Sequence, residues 1–449
     1  MSKTITKQFL KYTLPTVAAM LVNGLYQVVD GIFIGQYVGA DGLAAINVAW
    51  PIIGAVLGIG MMVGVGTGAV VSINQGAGNK DKAKSILSTG LIFLFLLFPV
   101  LSLFLWQYAD SLLLAQGVEG EVFQLAKQYI DVLIVSSLFS LGSIAIPFLL
   151  RNDNSPNFAT VLMIIGAVVN IALDYLFIAV MGWELEGAAI ATAMAQFVVT
   201  LMGVGYFFSR YATMKLSLAT LSFRVKELPE ICSIGLSSFF MYLYGSAMVA
   251  VHNWMFTQFG NVVMIGAYAI IGYVVTIYYL TVEGIANGMQ PLVSFNHGGK
   301  NREAVAKLFN LAAWSSVLLG IAFVLLLNIY PEQIIAVFNS EDAELMTQAT
   351  LGIRLHMFAL FLDGFIVVAG AYYQAVGQSK KAMFVTIGNM AVQIPFLFTL
   401  PYLFGLVGVW IAYPLSNIAL SIVIIWMIRR EFTNSSSVEN GYSKVSEVN

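Results

Sequence analysis

The 449-residue chain is 59% hydrophobic and only 10% charged, with 23 acidic and 21 basic side chains. A water-soluble domain of that composition would expose large contiguous apolar surface, so the chain is expected to be covered by lipid. Its net charge of −2 points to no class of partner, and the single Cys232 excludes an intrachain disulfide.

Apolar runs of about 18 to 25 residues suffice to cross roughly 30 Å of hydrocarbon as helix. They fall near residues 14–38, 44–74, 87–108, 128–150, 157–181 and 186–208, and again near 233–257, 262–296, 306–328, 351–376, 381–404 and 406–429. The predicted fold is all-α and integral to the membrane, with twelve spans; barrel strands would alternate over about ten residues instead. The first run contains Asp30 and is too long for the apolar core of a signal peptide. Between the sixth and seventh runs lies the longest polar connection, residues 209–231, with Arg210, Lys215, Arg224, Lys226 and Pro229. The polar tail 433–449 is expected to be disordered. The chain thus divides by sequence into lobes 1–218 and 219–432, plus the tail.

Assigning the loops alternately to two sides puts all but Lys127 and Arg354 of the 21 Lys and Arg residues on the side of the N-terminus. That asymmetry predicts an even number of spans with both termini cytoplasmic.

The two lobes are copies. SINQGAGNKDKAKSIL at 72–87 recurs as SFNHGGKNREAVAKLF at 294–309, an offset of 222 without a gap. A period this long is no solenoid, and two copies of several apolar segments are the mark of a membrane transporter.

Of the 23 acidic side chains, only Asp30, Asp174, Glu283 and Asp363 lie well inside predicted spans. Each costs roughly 2.5 to 3.5 kcal/mol on insertion scales, so each is a candidate functional group; the competing reading is a protonated acid hydrogen-bonded between helices. Asp30 and Asp174 stand at one depth. Asn170, four residues before Asp174, shares its helix face, and Thr192 reaches the same layer from the sixth span. Two carboxylates, an amide oxygen and a hydroxyl form the hard donor set of a small hard cation such as sodium. A proton would need only the carboxylates, while Asn and Thr also serve ordinary helix packing.

At the 222 offset Asp30 faces His252, and Glu283 faces Met61. With an offset of 224 set by Ser155 and Ser379, Asn170 and Asp174 face Ile394 and Phe398, and Asp363 faces Phe139. The second copy is therefore expected to lack the polar cluster. His252 reads equally as a pH-sensitive or substrate-facing group and as a packing histidine. Glu283 and Asp363 form a second acidic patch, with Tyr273, Tyr278, Tyr279 and Met289 near Glu283, suited to flat organic cations. Packing explains such aromatic and Met residues as well.

Gly60, Gly64 and Gly68 predict close packing of the second span on a neighbour, whereas the loose dinucleotide-like match at Gly64, Gly66 and Ala69 lies inside an apolar span and carries nothing. No Walker sequence occurs, and three scattered His with one Cys build no zinc or copper centre.

The segment LPTVAAMLVNGLYQVVDGIFIGQYVG, the loop NQGAGNKDKAKSIL and its echo resemble the multidrug and toxic compound extrusion (MATE) transporters, over residues 7 to 430. The resemblance implies two six-helix lobes in a V shape and exchange of sodium ions or protons for drug-like, mostly cationic compounds. It implies a cation site at Asp30, Asn170, Asp174 and Thr192, all four of which match by type. Another branch uses a Glu on the seventh span with an Asp on the tenth; residues 233–257 here hold no carboxylate, which leaves Asp363 as a substrate or auxiliary residue. Pro15 resembles the first-span proline at which some members bend.

The expected function is secondary antiport of amphipathic organic cations against Na+ or H+ in a bacterial cytoplasmic membrane. No cofactor beyond the coupling ion, no enzymatic activity, no nucleic-acid partner and a monomeric state are expected. Candidate cargo contacts are Glu283, Asp363, His252, Tyr278, Tyr279 and Met289. A flippase for a lipid-linked sugar would place Arg or Lys at mid-depth, and none is found there; an intramembrane aspartyl enzyme using Asp30 and Asp174 would not need two matching lobes.

Overall fold

The structure, a computed structural model, describes residues 2–116, 118–338 and 342–446, without side chains at 2, 3, 40, 246, 262 and from 434 onward. The first copy comprises α1 (Ser2–Tyr37), α2 (Ala40–Gly76), α3 (Lys80–Leu114), α4 (Gly120–Asn152), α5 (Pro156–Asp174) and α6 (Glu184–Phe208). The second comprises α7 (Leu228–Phe259), α8 (Val262–Gly298), α9 (Arg302–Ile329), the short α10 (Pro331–Ala336), α11 (Ala343–His356), α12 (Leu360–Ala375), α13 (Ser379–Phe404) and α14 (Leu406–Ser446). Eleven of these helices are each long and apolar enough to cross a membrane, and α11 with α12, bent by 53°, make the twelfth. The expected all-helical, twelve-span fold is what the chain adopts. Where disorder was expected beyond Thr433, the backbone of α14 continues to Ser446, no proline after Pro414 interrupting it; the tail's side chains from 434 lie outside the described residues.

The repeat is kept in backbone as well as in sequence. α1 and α7 end at Tyr37 and Phe259, α2 and α8 end at Gly76 and Gly298, and α3 and α9 start at Lys80 and Arg302, each pair 222 residues apart. The turn after α2 is closed by Ala77 N to Ile73 O (3.0 Å) and Asn79 N to Asn74 O (2.9 Å); the turn after α8 by Gly299 N to Phe295 O (3.0 Å) and Asn301 N to Asn296 O (2.9 Å). Both turns need a left-handed residue, supplied once by Gly78 (φ 81°) and once by Lys300 (φ 58°). For α5 and α13 the spacing differs: the helix starts Pro156 and Ser379, and the left-handed Gly182 and Gly405 that close each segment, are 223 apart.

Backbone contacts divide the chain into two compact units. The first holds Met1–Met248, Tyr279–Leu308 and Ala371–Met383; the second holds Val249–Tyr278, Phe309–Gly370 and Phe384–Asn449. Each crossing from one unit to the other falls inside a helix, in α7, α8, α9, α12 and α13.

Glycine explains why parts of α7 and α8 belong to the first unit. A Cβ on Gly76 would run into the carbonyl oxygen of Phe295, and one on Gly298 into that of Ile73, so α2 and α8 touch backbone to backbone at related positions. Gly288 and Gly284 lie against Thr13 and Val17 of α1 in the same way, where a Cβ would come within 2.7 and 2.6 Å of their Cα atoms. The predicted glycine seam also forms: Gly60 faces the Leu141 carbonyl and Gly64 the Ala145 Cα, which identifies α4 as the partner of α2.

The connection after α6 is strapped to the first unit. Asp153, in the turn between α4 and α5, accepts hydrogen bonds from the Tyr206 hydroxyl and from the backbone N–H groups of Thr213 and Met214, each at 2.8 Å. Farther along, Ser222 N donates to Ser88 Oγ (2.9 Å) and Arg224 N to Thr89 Oγ1 (3.1 Å), while Met214 and Leu216 are buried. Burial pushes the Asp153 carboxyl above the usual carboxylate range, against the pull of those hydrogen bonds.

Candidate functional site

Asp30 on α1, Trp50 on α2, Tyr129 on α4 and Thr192 on α6 line one cavity of about 60 Å³, together with Tyr26, Gln27, Ser136, Ser140 and Gln196. Asn170 joins it through α5, its side-chain amide donating to Thr192 Oγ1 at 3.3 Å. Asp174 is one turn farther along the same face, fully buried, and close enough to Asp30 for their charges to interact. The four predicted cation ligands therefore converge within the first unit.

Satisfaction of their oxygens sets this cluster apart. Asp30 Oδ1, Asn170 Oδ1 and both carboxylate oxygens of Asp174 are buried and accept no hydrogen bond. A buried acceptor left without a donor costs about 1–3 kcal/mol, more if charged, and here four lie together. Among the described residues neither carboxylate is in an ion pair. Such a set suits a positive guest. The cavity has room for a small cation with a water, since about 10–15 Å³ of space open to a water-sized sphere already holds one, and the donors are hard oxygens.

Local backbone geometry also marks the site. At Asp174 the α-helix gives way to a π-helical turn, Tyr175–Val180, with Met181 N bonded to Leu176 O at 2.9 Å. Such turns cluster at functional sites because they change the register of the following side chains.

A second cleft of about 560 Å³ opens beside the first, between α4 and α6, and shares its Ser136 and Ala193. Val135, Phe139, Met194 and Phe197 line it, with the carboxylates of Asp131 and Glu186. Its volume falls within the ~300–1,000 Å³ of small-molecule sites, whereas the smaller cavity is far below it.

The other predicted residues are dispersed. Glu283 and Tyr279 are half-buried in the first unit, near Tyr242 in the case of Glu283. Met289, in the same unit, is fully buried. In the second unit Tyr278 is fully buried and its hydroxyl donates to Leu360 O at 3.0 Å, with Asp363 close by. Tyr278 and Met289 are thus both packed in the helix interior. Asp363 sits in the first turn of α12, just past the α11–α12 bend, where the helix dipole favours an acid. His252 is fully buried in the second unit.

Sequence reasoning passed over Tyr26, Trp50, Tyr129 and Gln196. Tyr26 carried a signal, standing one turn before Asp30 on the same face. Tyr129 carried none, because only the packing of α4 brings it to this cavity.

Residues 15–176 and 234–399 match the profile of the MatE family, one match in each copy of the repeat. The multidrug export protein MepA of Staphylococcus aureus strain MSSA476 is 24% identical over 437 residues, covering 96% of both chains. MepA of Staphylococcus saprophyticus is 25% identical over 436 residues, covering 96% of this chain and 95% of its own. Among solved structures, a MOP superfamily transporter from Pyrococcus furiosus superposes with a TM-score of 0.90 at 24% identity, over 96% of each chain. A multidrug resistance MATE transporter in an outward-facing conformation superposes with a TM-score of 0.89 at 24% identity, over 95% of this chain and 96% of its own. The two profile matches span most of the sequence, and the chain belongs to the MatE family of multi-pass membrane transporters for multidrug efflux.

Proposed function

We propose that the protein is an antiporter that expels amphipathic organic cations in exchange for inward sodium, with the ion held by Asp30, Asn170, Asp174 and Thr192. The four buried, unpartnered oxygens of Asp30, Asn170 and Asp174 carry this reading. A proton would satisfy one carboxylate but not the Asn170 carbonyl, whereas a cation satisfies all of them at once.

Ion binding stabilises the arrangement in which these oxygens converge, and cargo binds best to the alternative arrangement, so each drives the other across. The α4–α6 cleft suits the apolar part of a cargo and its Asp131 and Glu186 the charge; the shared wall at Ser136 and Ala193 makes ion and cargo feel each other. Of the other candidates, the half-buried Glu283 and Tyr279 are the ones a cargo reaches without unpacking the helices. The basic-residue asymmetry supports a bacterial cytoplasmic membrane with both termini inside, and the sequence repeat supports lobes 1–218 and 219–432 acting as a monomer.

Proteoliposomes given either a sodium gradient or a pH gradient test the proposal. Efflux of a fluorescent organic cation should follow the sodium gradient, and Asp174→Asn should abolish it without reducing membrane insertion. Efflux driven by the pH gradient alone would overturn the sodium assignment.

A further inference from the structure

The cleft between α4 and α6 is the gap left where two helices that pack tightly at one end part at the other. Toward their ends at Asn152 and Phe208 the backbones are close. A Cβ on Gly142 would come within 2.5 Å of Thr200 Cγ2, and one on Gly203 would run into the Ile146 side chain. Thr200 Oγ1 also donates to the Phe139 carbonyl oxygen at 3.0 Å. Phe139 and Phe197 then meet edge to face, with ring centroids 4.9 Å apart, and floor the cleft. Beyond these rings, toward the helix starts Gly120 and Glu184, lies its open volume of about 560 Å³.

Its open side looks away from the ion cavity. That cavity is closed by α1 and α2, with Tyr129, Leu133 and Ser140 of α4 turned to it, whereas Asp131, Val135 and Phe139 of the same helix line the cleft. Val135 is 75% exposed, and Met194 and Phe197 are exposed across from it. In a chain that crosses the bilayer, apolar side chains exposed at this depth are met by lipid chains. The depth follows from the charges: α4 carries none from Val132 to Leu150, and α6 none from Gly187 to Phe208, so Asp131 and Glu186 stand at the edge of the hydrocarbon. From Glu186 to Phe197 a helix rises about 16 Å at ~1.5 Å per residue, roughly half of the ~30 Å hydrocarbon. The cleft thus runs the depth of one leaflet.

Charge at the mouth decides which lipid fits. Lys127 Nζ is 2.6 Å from Asp110 Oδ1 and 3.6 Å from Asp131 Oδ1, and Glu186 has no ion-pair partner among the described residues. Three carboxylates therefore stand beside one fixed ammonium. An anionic head such as phosphatidylglycerol adds repulsion there. A trimethylated head brings a positive charge but no N–H, whereas a primary ammonium brings three donors for carboxylate oxygens.

We propose that the α4–α6 cleft is a site for a phospholipid with a primary ammonium head, one acyl chain lying in the groove down to the Phe139–Phe197 floor. The ammonium donates to Asp131 and Glu186, and the phosphate lies toward Lys127. The lipid belongs to the leaflet on the side of Lys127, opposite the N-terminus in the loop assignment. The site depends on the cargo reading of this cleft only for its consequence: an amphipathic cation enters by displacing the lipid, so the two compete for the same carboxylates.

Photolabelling of the full-length protein in phosphatidylcholine nanodiscs tests this, using phosphatidylethanolamine with a photoactivatable acyl chain at trace level and mass spectrometry to map the label. Label should concentrate in residues 128–139 and 186–197, severalfold above that from the same chain on a phosphatidylglycerol or phosphatidylcholine head. Asp131→Asn with Glu186→Gln should erase the preference among heads. Val135→Trp, which fills the groove from an exposed position, should remove the label for every head. Equal labelling by the three heads in wild type would overturn the proposal, and so would label at these residues that survives Val135→Trp. A fluorescent organic cation in excess should reduce the label in wild type. If the lipid labels the cleft and the cation fails to compete, the cargo reading of the cleft fails and the lipid site stands. If the protein expels the cation but the cleft takes no label, the lipid site fails and the antiport reading stands.

Discussion

Asn170 donates its side-chain amide to Thr192 across 3.3 Å, and that one bond leaves the Asn170 carbonyl oxygen with no donor beside two equally unserved oxygens of Asp174. The amide is held by its hydrogens, so it offers oxygen. Thr192 thereby acts as much in orienting Asn170 as in offering its own hydroxyl. Removing Thr192 or the Asp174 charge should weaken ion binding in steps: Thr192→Ala by about threefold to tenfold, and Asp174→Asn by more than about tenfold, or 1.4 kcal/mol. Sodium-dependent thermal stabilisation of the purified protein reports this directly. The same sodium-dependent rise in Tm in wild type and Asp174→Asn would count against the site.

Backbone contact between α2 and α8 leaves no room for side chains at Gly76 or Gly298. Gly76→Leu and Gly298→Leu should each destabilise the protein by about 2–3 kcal/mol, the cost of overpacking a close seam. Gly54 is the control, because a methyl group there would meet nothing within 4 Å: Gly54→Ala should stay within about 0.5 kcal/mol. Thermal denaturation of the three variants in one detergent separates these outcomes.

Loss of the Asp153 carboxylate should free the connection after α6. Asp153→Ala leaves the buried Met214 amide without its acceptor and takes one partner from the Thr213 amide and the Tyr206 hydroxyl, at a cost of about 1–3 kcal/mol. Limited proteolysis should then cut within residues 209–224 several times faster than in wild type. Equal cleavage rates would show that the apolar contacts of Met214 and Leu216 hold the strap by themselves.

The duplicated turn gives a reciprocal test. Gly78→Lys places a side chain in the left-handed region, where Lys300 already stands in the other copy. It should cost about 1 kcal/mol, and Lys300→Gly should recover up to that amount, less the backbone entropy of glycine. Opposite shifts in Tm are expected, and shifts of the same sign would contradict the strain argument.

Much of the architecture was legible because lipid imposes a coarse rule: long apolar runs are helices, and a carboxylate inside one has a reason to be there. Asp30 and Asp174 stand out that way, and helix face and depth are what set Asn170 and Thr192 beside them. The bend between His356 and Leu360 was hidden, since no proline marks it, and so was the π-helical turn after Asp174. The partner of Asn170 was misplaced by one residue because α5 and α13 share no motif of their own to fix the register; only the helix starts and the paired left-handed glycines do so. Tyr278 and Met289 show the converse limit, since residue type alone did not say that both would be fully buried.

The boundary between the two compact units passes through the interiors of five helices and through no loop. Each of those five helices belongs to both units, so an unbroken helical backbone, and not a flexible linker, carries the chain from one into the other.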